Sequence, residues 1–218
     1  MKYAVTTARQ LVDSYGQGIL QFEEAYAEYL EQFGFQLFVI PLLSDIQSIY
    51  HLHPEMIFLP GGGDVPAQYY DAEVEIVPQK SRDSIEIKLI NYALENHIPL
   101  FGVCRGMQMI NGFLGGKLTR VLDKSHPVAI NHYIQVPNCD ATYEINSFHR
   151  DVIKINGLSN KLKIIALHEN SEHVEAFGGY KQPILGMQWH PERMGKCTSG
   201  RKYSNKLVIE LIAKGGGK

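Results

Sequence analysis

The apolar residues of this chain alternate between short continuous runs and longer stretches with helical spacing. The first short runs lie at residues 3–5, 35–40, 56–59 and 100–103. Between the first two and between the last two, apolar side chains recur at steps of three and four, as on one face of a helix. The first helical stripe includes Tyr26 and Tyr29 and ends at Gly34, and we interpret its tyrosines as core residues. Strands and helices are therefore predicted to alternate.

From about Leu118 the pattern changes to short β-rich segments. They lie at residues 133–136, 142–145, 164–167, 174–177 and 184–188. A final helix is predicted near residues 204–213, followed by a loose tail at 214–218. No internal repeat or linker rich in Pro, Gly or Ser divides the chain. We therefore expect one α/β domain over residues 1–218, with a mostly parallel central sheet, flanking helices and additional antiparallel strands.

One predicted strand leads directly into a cysteine flanked by two glycines. Gly102 and Gly106 surround Cys104 in the Gly-x-nucleophile-x-Gly arrangement, in which small neighbours allow a strained turn between strand and helix. Unpaired backbone N–H groups at the start of a helix favour the thiolate, which is the attacking form of a cysteine. We predict that Cys104 is a nucleophile and that the amide of Arg105 points at the oxyanion formed during attack.

A candidate base lies far along the chain, in the segment Gln188-Trp-His-Pro-Glu192. Pro191 biases His190 toward an extended backbone, in which alternate side chains point the same way. Glu192 is then placed to hold the second imidazole nitrogen, as the acid of a catalytic triad does. Our hypothesis is that Cys104 attacks, His190 transfers the proton and Glu192 fixes the tautomer.

A glycine run follows the predicted strand at 56–59, in the segment Pro60-Gly-Gly-Gly-Asp64. Ligands of open α/β sheets bind beyond the carboxyl ends of the strands. Without side chains in the way, a backbone amide of this run can approach a substrate oxygen and complete an oxyanion hole. An ordinary turn is the alternative interpretation of the same glycines.

Composition and charge exclude several function classes. With 44% apolar and 20% charged residues, the 218-residue chain is typical of a folded domain with a large core. A net charge of −2, without a basic run interleaved with aromatics, excludes a nucleic-acid partner. The start of the chain lacks signal-peptide features, and no apolar stretch approaches the ~20 residues of a membrane span. We expect a cytoplasmic protein without membrane contact.

Cysteine and histidine spacing argues against a structural metal or a disulfide framework. Cys104, Cys139 and Cys197 are odd in number and lack paired spacing. His168 and His173 are five residues apart, which does not fit the i, i+4 spacing of helical metal ligands. We expect no metal and no cofactor. The two histidines are interpreted as part of a solvated loop, with a place at the pocket rim as the alternative.

Five motifs, taken together, resemble the class I glutamine amidotransferase superfamily, in its γ-glutamyl-γ-aminobutyrate hydrolase-like (peptidase C26-like) branch. The motifs are Pro60-Gly-Gly-Gly-Asp64, Arg82-Asp83-x-x-Glu86, Gly102-Val-Cys-Arg-Gly-Met-Gln-Met-Ile-Asn111, Asn146-Ser-Phe-His149 and Gln188-Trp-His-Pro-Glu192. The resemblance spans residues 3–213 and implies a flavodoxin-like fold. Of these motif residues, Arg82 and Asp83 are interpreted as capping or orienting the following helix.

The resemblance implies hydrolysis of a γ-glutamyl amide through a glutamyl-thioester. It implies a triad of Cys104, His190 and Glu192, and an oxyanion hole made by the amides of Gly62 and Arg105. It further implies that the amino and carboxylate groups of a small-molecule γ-glutamyl substrate are held by Gln108, Ser147, Phe148 and His149. The segment between Gly115 and Asn146 is short for the polyamine-pathway hydrolases, so their amine is not assigned to this chain.

The Tyr15-Gly16 pair and a Tyr-x-x-x-Leu helix that leads into Phe33-Gly-Phe-x-x-x-x-Ile-Pro41 resemble shorter relatives of surface-polysaccharide pathways. This resemblance implies a nucleotide-linked γ-glutamyl amide as the substrate. The candidate contacts for such a leaving group are Arg9, Lys124, Arg150 and Arg193. Two alternatives stay open: a glutaminase subunit that supplies ammonia to a separate synthase, and a noncatalytic regulatory protein of the same fold. A homodimer is the default expectation for a soluble enzyme.

Overall fold

The fold is built on one large mixed sheet. The structure is a computed structural model that describes residues 2–41, 46–121 and 129–215. In chain order, the strands and α-helices within these ranges are β1 (Lys2–Thr6), β2 (Arg9–Val12), β3 (Gly18–Gln21), α1 (Glu24–Glu31), β4 (Phe35–Val39), α2 (Gln47–Tyr50), β5 (Met56–Leu59), α3 (Lys80–Glu95), β6 (Leu100–Val103), α4 (Arg105–Phe113), β7 (Thr119–Arg120), β8 (His132–Gln135), β9 (Thr142–Ile145), β10 (Asp151–Val152), β11 (Leu162–His168), β12 (Val174–Gly179), β13 (Ile184–Met187) and α5 (Ser199–Gly215).

Nine strands form the central sheet, in the order β4-β1-β5-β6-β13-β12-β11-β8-β9. The strands from β4 to β13 pair in parallel, and those from β13 to β9 pair antiparallel. This arrangement confirms the predicted α/β class with a parallel core and antiparallel additions. Because β13 pairs directly with β6, the chain that leaves β13 emerges beside the chain that leaves β6.

Side chains alternate between the two faces of the sheet, and each face has its own core. On β5, Ile57 and Leu59 pack in the layer that contains α3 and α4. Met56 and Phe58 of the same strand pack in the layer of α1 and α5. All four side chains of β5 are fully buried, as expected for a parallel strand covered by helices on both faces.

The structure differs from the sequence prediction at several elements. Helix α5 begins at Ser199 and includes Lys214 and Gly215, which the sequence pattern assigns to a loose tail, whereas residues 216–218 lie outside the described ranges. The hairpin of β2 and β3 is absent from the prediction, because its few apolar side chains are mostly exposed and do not mark a buried face. Within the described ranges, no helix combines the length and apolar character needed to cross a bilayer.

Candidate active site

Cys104 occupies a sharp turn between β6 and α4. Its φ is 51° and its ψ is −107°. A positive φ is strained for a residue that carries a side chain, so the surrounding structure must hold this conformation. Its N–H donates a hydrogen bond to the Met187 carbonyl at 2.7 Å, which fixes the turn to β13. A Cβ on Gly106 would overlap the Leu59 carbonyl, so the close approach of α4 to β5 requires glycine there. The geometry is that of the predicted nucleophile elbow.

His190 follows β13 and reaches the same point from the neighbouring strand. The side chain of Asn146 makes two hydrogen bonds to the backbone of His190. Its amide nitrogen donates to the His190 carbonyl, and its amide oxygen accepts from the His190 N–H, both at 2.8 Å. His190 Nδ1 lies 2.6 Å from Glu192 Oε1, and both side chains are buried. The structure therefore brings His190 and Glu192 together as the sequence predicts.

The electrostatics of His190 depend on its two neighbours. Burial disfavours the charged ring, but the charge of Cys104, hydrogen bonds to Cys104 and Glu192, and the Glu192 charge outweigh burial and raise the pKa of His190 to about 9. At neutral pH the ring is therefore an imidazolium. Because Nδ1 contacts Glu192, Nε2 is the nitrogen left to face the sulfur. This arrangement allows a proton to pass between the ring and the sulfur.

Arg82 holds the glycine-rich loop, so its interpretation as a helix-capping residue is wrong. It lies inside α3 and is fully buried. Its guanidinium donates to the Gly62 carbonyl at 2.7 Å, the Pro60 carbonyl at 2.7 Å and the Gly61 carbonyl at 3.2 Å. Three consecutive carbonyls thus point toward one buried cation, which fixes the direction of the peptide groups between them.

Glu86 connects this clamp to the start of α4. Its carboxylate accepts from Arg82 Nε at 2.7 Å, from Arg105 Nη1 at 2.5 Å and from the Thr7 hydroxyl at 2.7 Å. Burial alone would raise the pKa of Glu86, but the two guanidinium groups lower it below its usual value. Arg105 also donates to the Asp64 carbonyl at 2.8 Å and pairs with the Asp83 carboxylate. Asp83 lies in the first turn of α3, which agrees with its predicted place at the start of that helix, and it also belongs to this network.

A cavity of about 600 Å³ opens over Cys104. Its walls include the predicted substrate-binding residues Gln108, Phe148 and His149. Ser147 is buried beside the cavity and is not among its lining residues. The Gln108 amide donates to the Asp151 carbonyl at 3.1 Å and to Gln188 Oε1 at 3.2 Å, which fixes its orientation. The structure thus brings three of the four predicted residues to the space over the thiol.

The cavity is lined by four arginines in two different electrostatic states. Arg120 pairs with the carboxylates of Asp64 and Asp151, and Arg193 pairs with Glu23. Arg9 and Arg150 are exposed and form no ion pair with any described residue. Three of the predicted leaving-group contacts therefore line the cavity, and the fourth, Lys124, lies outside the described ranges.

His168 and His173 stand at the two ends of an exposed turn at residues 169–172, so the predicted solvated loop exists, but the two rings themselves lie in a cluster near a buried carboxylate. Both are half-buried, and neither lines the cavity. The His168 ring lies 4.4 Å from that of His132, whose Nε2 is 3.5 Å from Glu175 Oε1. Burial raises the pKa of Glu175, but His132 and the neighbouring imidazoles lower it to about 2. Among the described residues, no group of histidines, cysteines and carboxylates has an arrangement suited to a metal ion.

Sequence reasoning misses three contributors to the site. Arg120, on the two-residue strand β7, gives no pattern that would identify it. Asn146 stands in a motif, but its bonds to the His190 backbone depend on tertiary structure. Tyr26 is predicted to be a core residue, and its ring does pack there, yet its hydroxyl lies 3.3 Å from His190 Nδ1. Only the fold shows these contacts.

Comparisons with known proteins agree with this architecture. YvdE of Lactococcus lactis subsp. lactis, named as glutamine amidotransferase-like, is 31% identical over 214 residues, covering 88% of this chain and 87% of that protein. The γ-glutamyl-γ-aminobutyrate hydrolase PuuD of Escherichia coli K12 is 29% identical over 208 residues, covering 81% and 80%. A crystal structure from Thermoplasma acidophilum, described as that of a GMP synthase subunit, shares the fold with a TM-score of 0.65 at 17% identity, covering 99% and 94%.

The family assignment follows from a direct match to a family model. The Peptidase C26 model matches residues 4–192, a range that contains the elbow, the glycine-rich loop and the His190–Glu192 pair. The chain therefore belongs to the Peptidase C26 family, within the class I glutamine amidotransferase superfamily.

Proposed function

We propose that this protein hydrolyses a γ-glutamyl amide to glutamate and an amine, with Cys104, His190 and Glu192 as its catalytic residues. The observation that carries the proposal is the buried His190–Glu192 pair beside the strained Cys104, at the floor of an open cavity. The family and the name of the γ-glutamyl-γ-aminobutyrate hydrolase relative support the bond type.

The proposed reaction has two halves. The Cys104 thiolate attacks the γ-carbonyl carbon, and the C–N bond breaks as His190 gives its proton to the departing amine. A water molecule then attacks the glutamyl-thioester, His190 takes its proton, and glutamate leaves with the thiolate restored. Glu192 stays ionised and holds the imidazole orientation through both halves.

The direction of the loop peptides supports Gly62 and Arg105 as oxyanion donors. In a trans peptide, the carbonyl of one residue and the N–H of the next point in opposite directions. Because the Gly61 carbonyl points at Arg82, the Gly62 N–H faces away from Arg82, on the cavity side. Arg105 is the first residue of α4, so its N–H has no acceptor within the helix.

Gln108 is suited to the glutamyl end of the substrate. Its amide nitrogen is held by two acceptors, so its oxygen is the group presented to the cavity, where it can accept from a substrate ammonium. The neighbouring His149 and Phe148 complete this wall. We assign these residues, with the backbone at Ser147, to the amino and carboxylate groups of the glutamyl moiety.

For the leaving group, we propose a nucleotide-linked amine. The cavity volume exceeds that of a glutamyl group, and Arg9 and Arg150 at its mouth have no carboxylate partner among the described residues. Arginine donates charge-assisted, often bidentate hydrogen bonds to phosphate oxygens. An anionic leaving group would therefore supply hydrogen-bond acceptors and a negative charge to the two guanidinium groups.

The test is a panel of γ-glutamyl amides that includes L-glutamine, γ-glutamyl-p-nitroanilide and a nucleotide-linked γ-glutamyl amide, with free glutamate detected. We expect the purified protein to release glutamate without a partner, and a glutamine-analogue electrophile to leave a mass-spectrometric adduct on Cys104. Turnover of glutamine alone, stimulated by an added synthase, would instead indicate a glutaminase subunit. If neither turnover nor an adduct is observed, the protein is noncatalytic.

Replacing Arg150 or Arg9 with glutamine is expected to raise KM for the nucleotide-linked substrate about tenfold each, the effect of losing one charge-assisted hydrogen bond. The value of kcat should stay near that of the wild type, because neither side chain contacts the reacting atoms. The matched control substrate is γ-glutamyl-p-nitroanilide, whose leaving group is uncharged, and the KM for this substrate should not change. Equal losses on both substrates would contradict recognition of an anionic leaving group.

A further inference from the structure

We propose that Tyr26 is a positioning residue that joins the imidazole of His190 to the glycine-rich loop, an inference that rests on the proposed function. Its hydroxyl oxygen lies 3.3 Å from His190 Nδ1 and accepts a hydrogen bond from the Gly61 N–H at 3.1 Å. One oxygen atom therefore contacts both the proposed base and the loop that carries the proposed oxyanion donor.

The contact to Gly61 determines which amide of the loop is available. The Pro60 carbonyl points at Arg82, so the Gly61 N–H points to the opposite side, where Tyr26 accepts it. The Gly61 N–H is therefore already hydrogen-bonded, and the next N–H, that of Gly62, is left for the substrate. Arg82 and Tyr26 hold the loop from opposite sides, one through carbonyl groups and the other through an N–H.

The contact to His190 gives Nδ1 of its ring a second polar neighbour, besides Glu192. In the imidazolium form, Nδ1–H donates mainly to Glu192 Oε1 at 2.6 Å, and the Tyr26 oxygen lies within reach of the same hydrogen. Burial, with the negative charges of Glu192 and Cys104, raises the pKa of Tyr26 well above its usual value. The phenol therefore stays neutral and acts by position rather than by charge.

The surroundings leave the Tyr26 hydroxyl little freedom. Its ring packs against Phe58, with centroids 5.2 Å apart, and against Phe22 at 5.7 Å. A Cβ at Gly61 would meet the Tyr26 oxygen and His190 Cε1 within 3 Å, so the loop, the phenol and the imidazole are in close contact. A shift of any one of these three groups displaces the others.

Tyr29 provides a matched control on the same helix. It is buried three residues along α1, and its hydroxyl makes no hydrogen bond to any described residue. The Tyr29 ring packs against Phe33 and the Arg201 guanidinium. Tyr26→Phe and Tyr29→Phe therefore remove the same oxygen atom from equally buried rings, and only the first should affect the site.

The experiment compares kcat, KM and the rate of Cys104 alkylation by iodoacetamide at pH 7 for both variants and the wild type. We expect Tyr26→Phe to lower kcat about tenfold with KM changed less than about twofold, since one hydrogen-bonding group is lost outside the substrate cavity. Alkylation should slow severalfold, because the imidazolium that stabilises the thiolate is held less firmly. Tyr29→Phe should change neither rate.

Each outcome separates this proposal from the proposed function. Alkylation requires no γ-glutamyl substrate, so it tests the role of Tyr26 even if no amide in the panel is hydrolysed. Wild-type alkylation and turnover in Tyr26→Phe would overturn the positioning role, as would a raised KM with unchanged kcat. Equal losses in the two variants would assign the effect to core packing, and thermal melting of both proteins would identify that case.

Discussion

Replacing Cys104 with alanine is expected to abolish γ-glutamyl amide hydrolysis, with kcat/KM reduced by at least about a thousandfold. No other described thiol lies in the cavity, and without the sulfur no thioester can form. Cys104→Ser should also be nearly inactive, since a hydroxyl is far less acidic and less nucleophilic than a thiol. Both variants should be assayed for free glutamate beside the wild type.

The remaining two thiols supply the control for this prediction. Cys139 and Cys197 are exposed, and their replacement by serine should leave both turnover and adduct formation unchanged. The alanine variant should also melt close to the wild type, because the substitution removes only the sulfur and leaves a Cβ at the same positive φ. Retained turnover in a folded Cys104→Ala protein would remove the nucleophile assignment.

Replacing Gly106 with alanine is expected to lower the melting temperature by about 10 °C and activity by more than about a hundredfold. The new Cβ would overlap the Leu59 carbonyl, a backbone group that cannot rotate away. Helix α4 must then move from β5, which separates Cys104 from the loop that begins at Pro60. Overpacking of this kind typically costs about 1–3 kcal/mol, and the loss of alignment adds the effect on rate.

Gly18→Ala is the matched control for this substitution. Gly18 lies on the exposed hairpin, and a Cβ there would have no neighbour within 4 Å. Differential scanning calorimetry and the glutamate assay should show both properties unchanged in this variant. A Gly106→Ala protein with the melting temperature and turnover of the wild type would contradict the close approach of α4 to β5.

The parts of the fold that can be predicted are those in which burial leaves a local signal. Strands β5 and β6 match their predicted bounds to the residue, because each is a buried apolar run bounded by residues that end it. Strand β9 also matches its predicted bounds, on a pattern that alternates between exposed and less exposed side chains. The nucleophile elbow is also predictable, since its requirements for Cys104, Gly102 and Gly106 are satisfied within one short segment. Local patterns are sufficient wherever the cause of the structure is itself local.

The remaining features depend on partners that are distant in sequence. Arg82 looks like an ordinary charged residue near a helix start, and only the return of the glycine-rich loop shows that it is fully buried. The spacing of Tyr26 correctly predicts a core position, but it gives no information about which group the phenolic oxygen contacts. The histidines around Glu175 meet across β8, β11 and β12, which no single segment of sequence indicates.

The position of β13 between β6 and β12 has a consequence for biosynthesis. On a ribosome-bound chain, Cys104 is translated long before the histidine proposed to activate it, and the two meet only when the late strand β13 pairs with the early strand β6. The proposed triad therefore cannot assemble on the nascent polypeptide until the last strand of the sheet has been made.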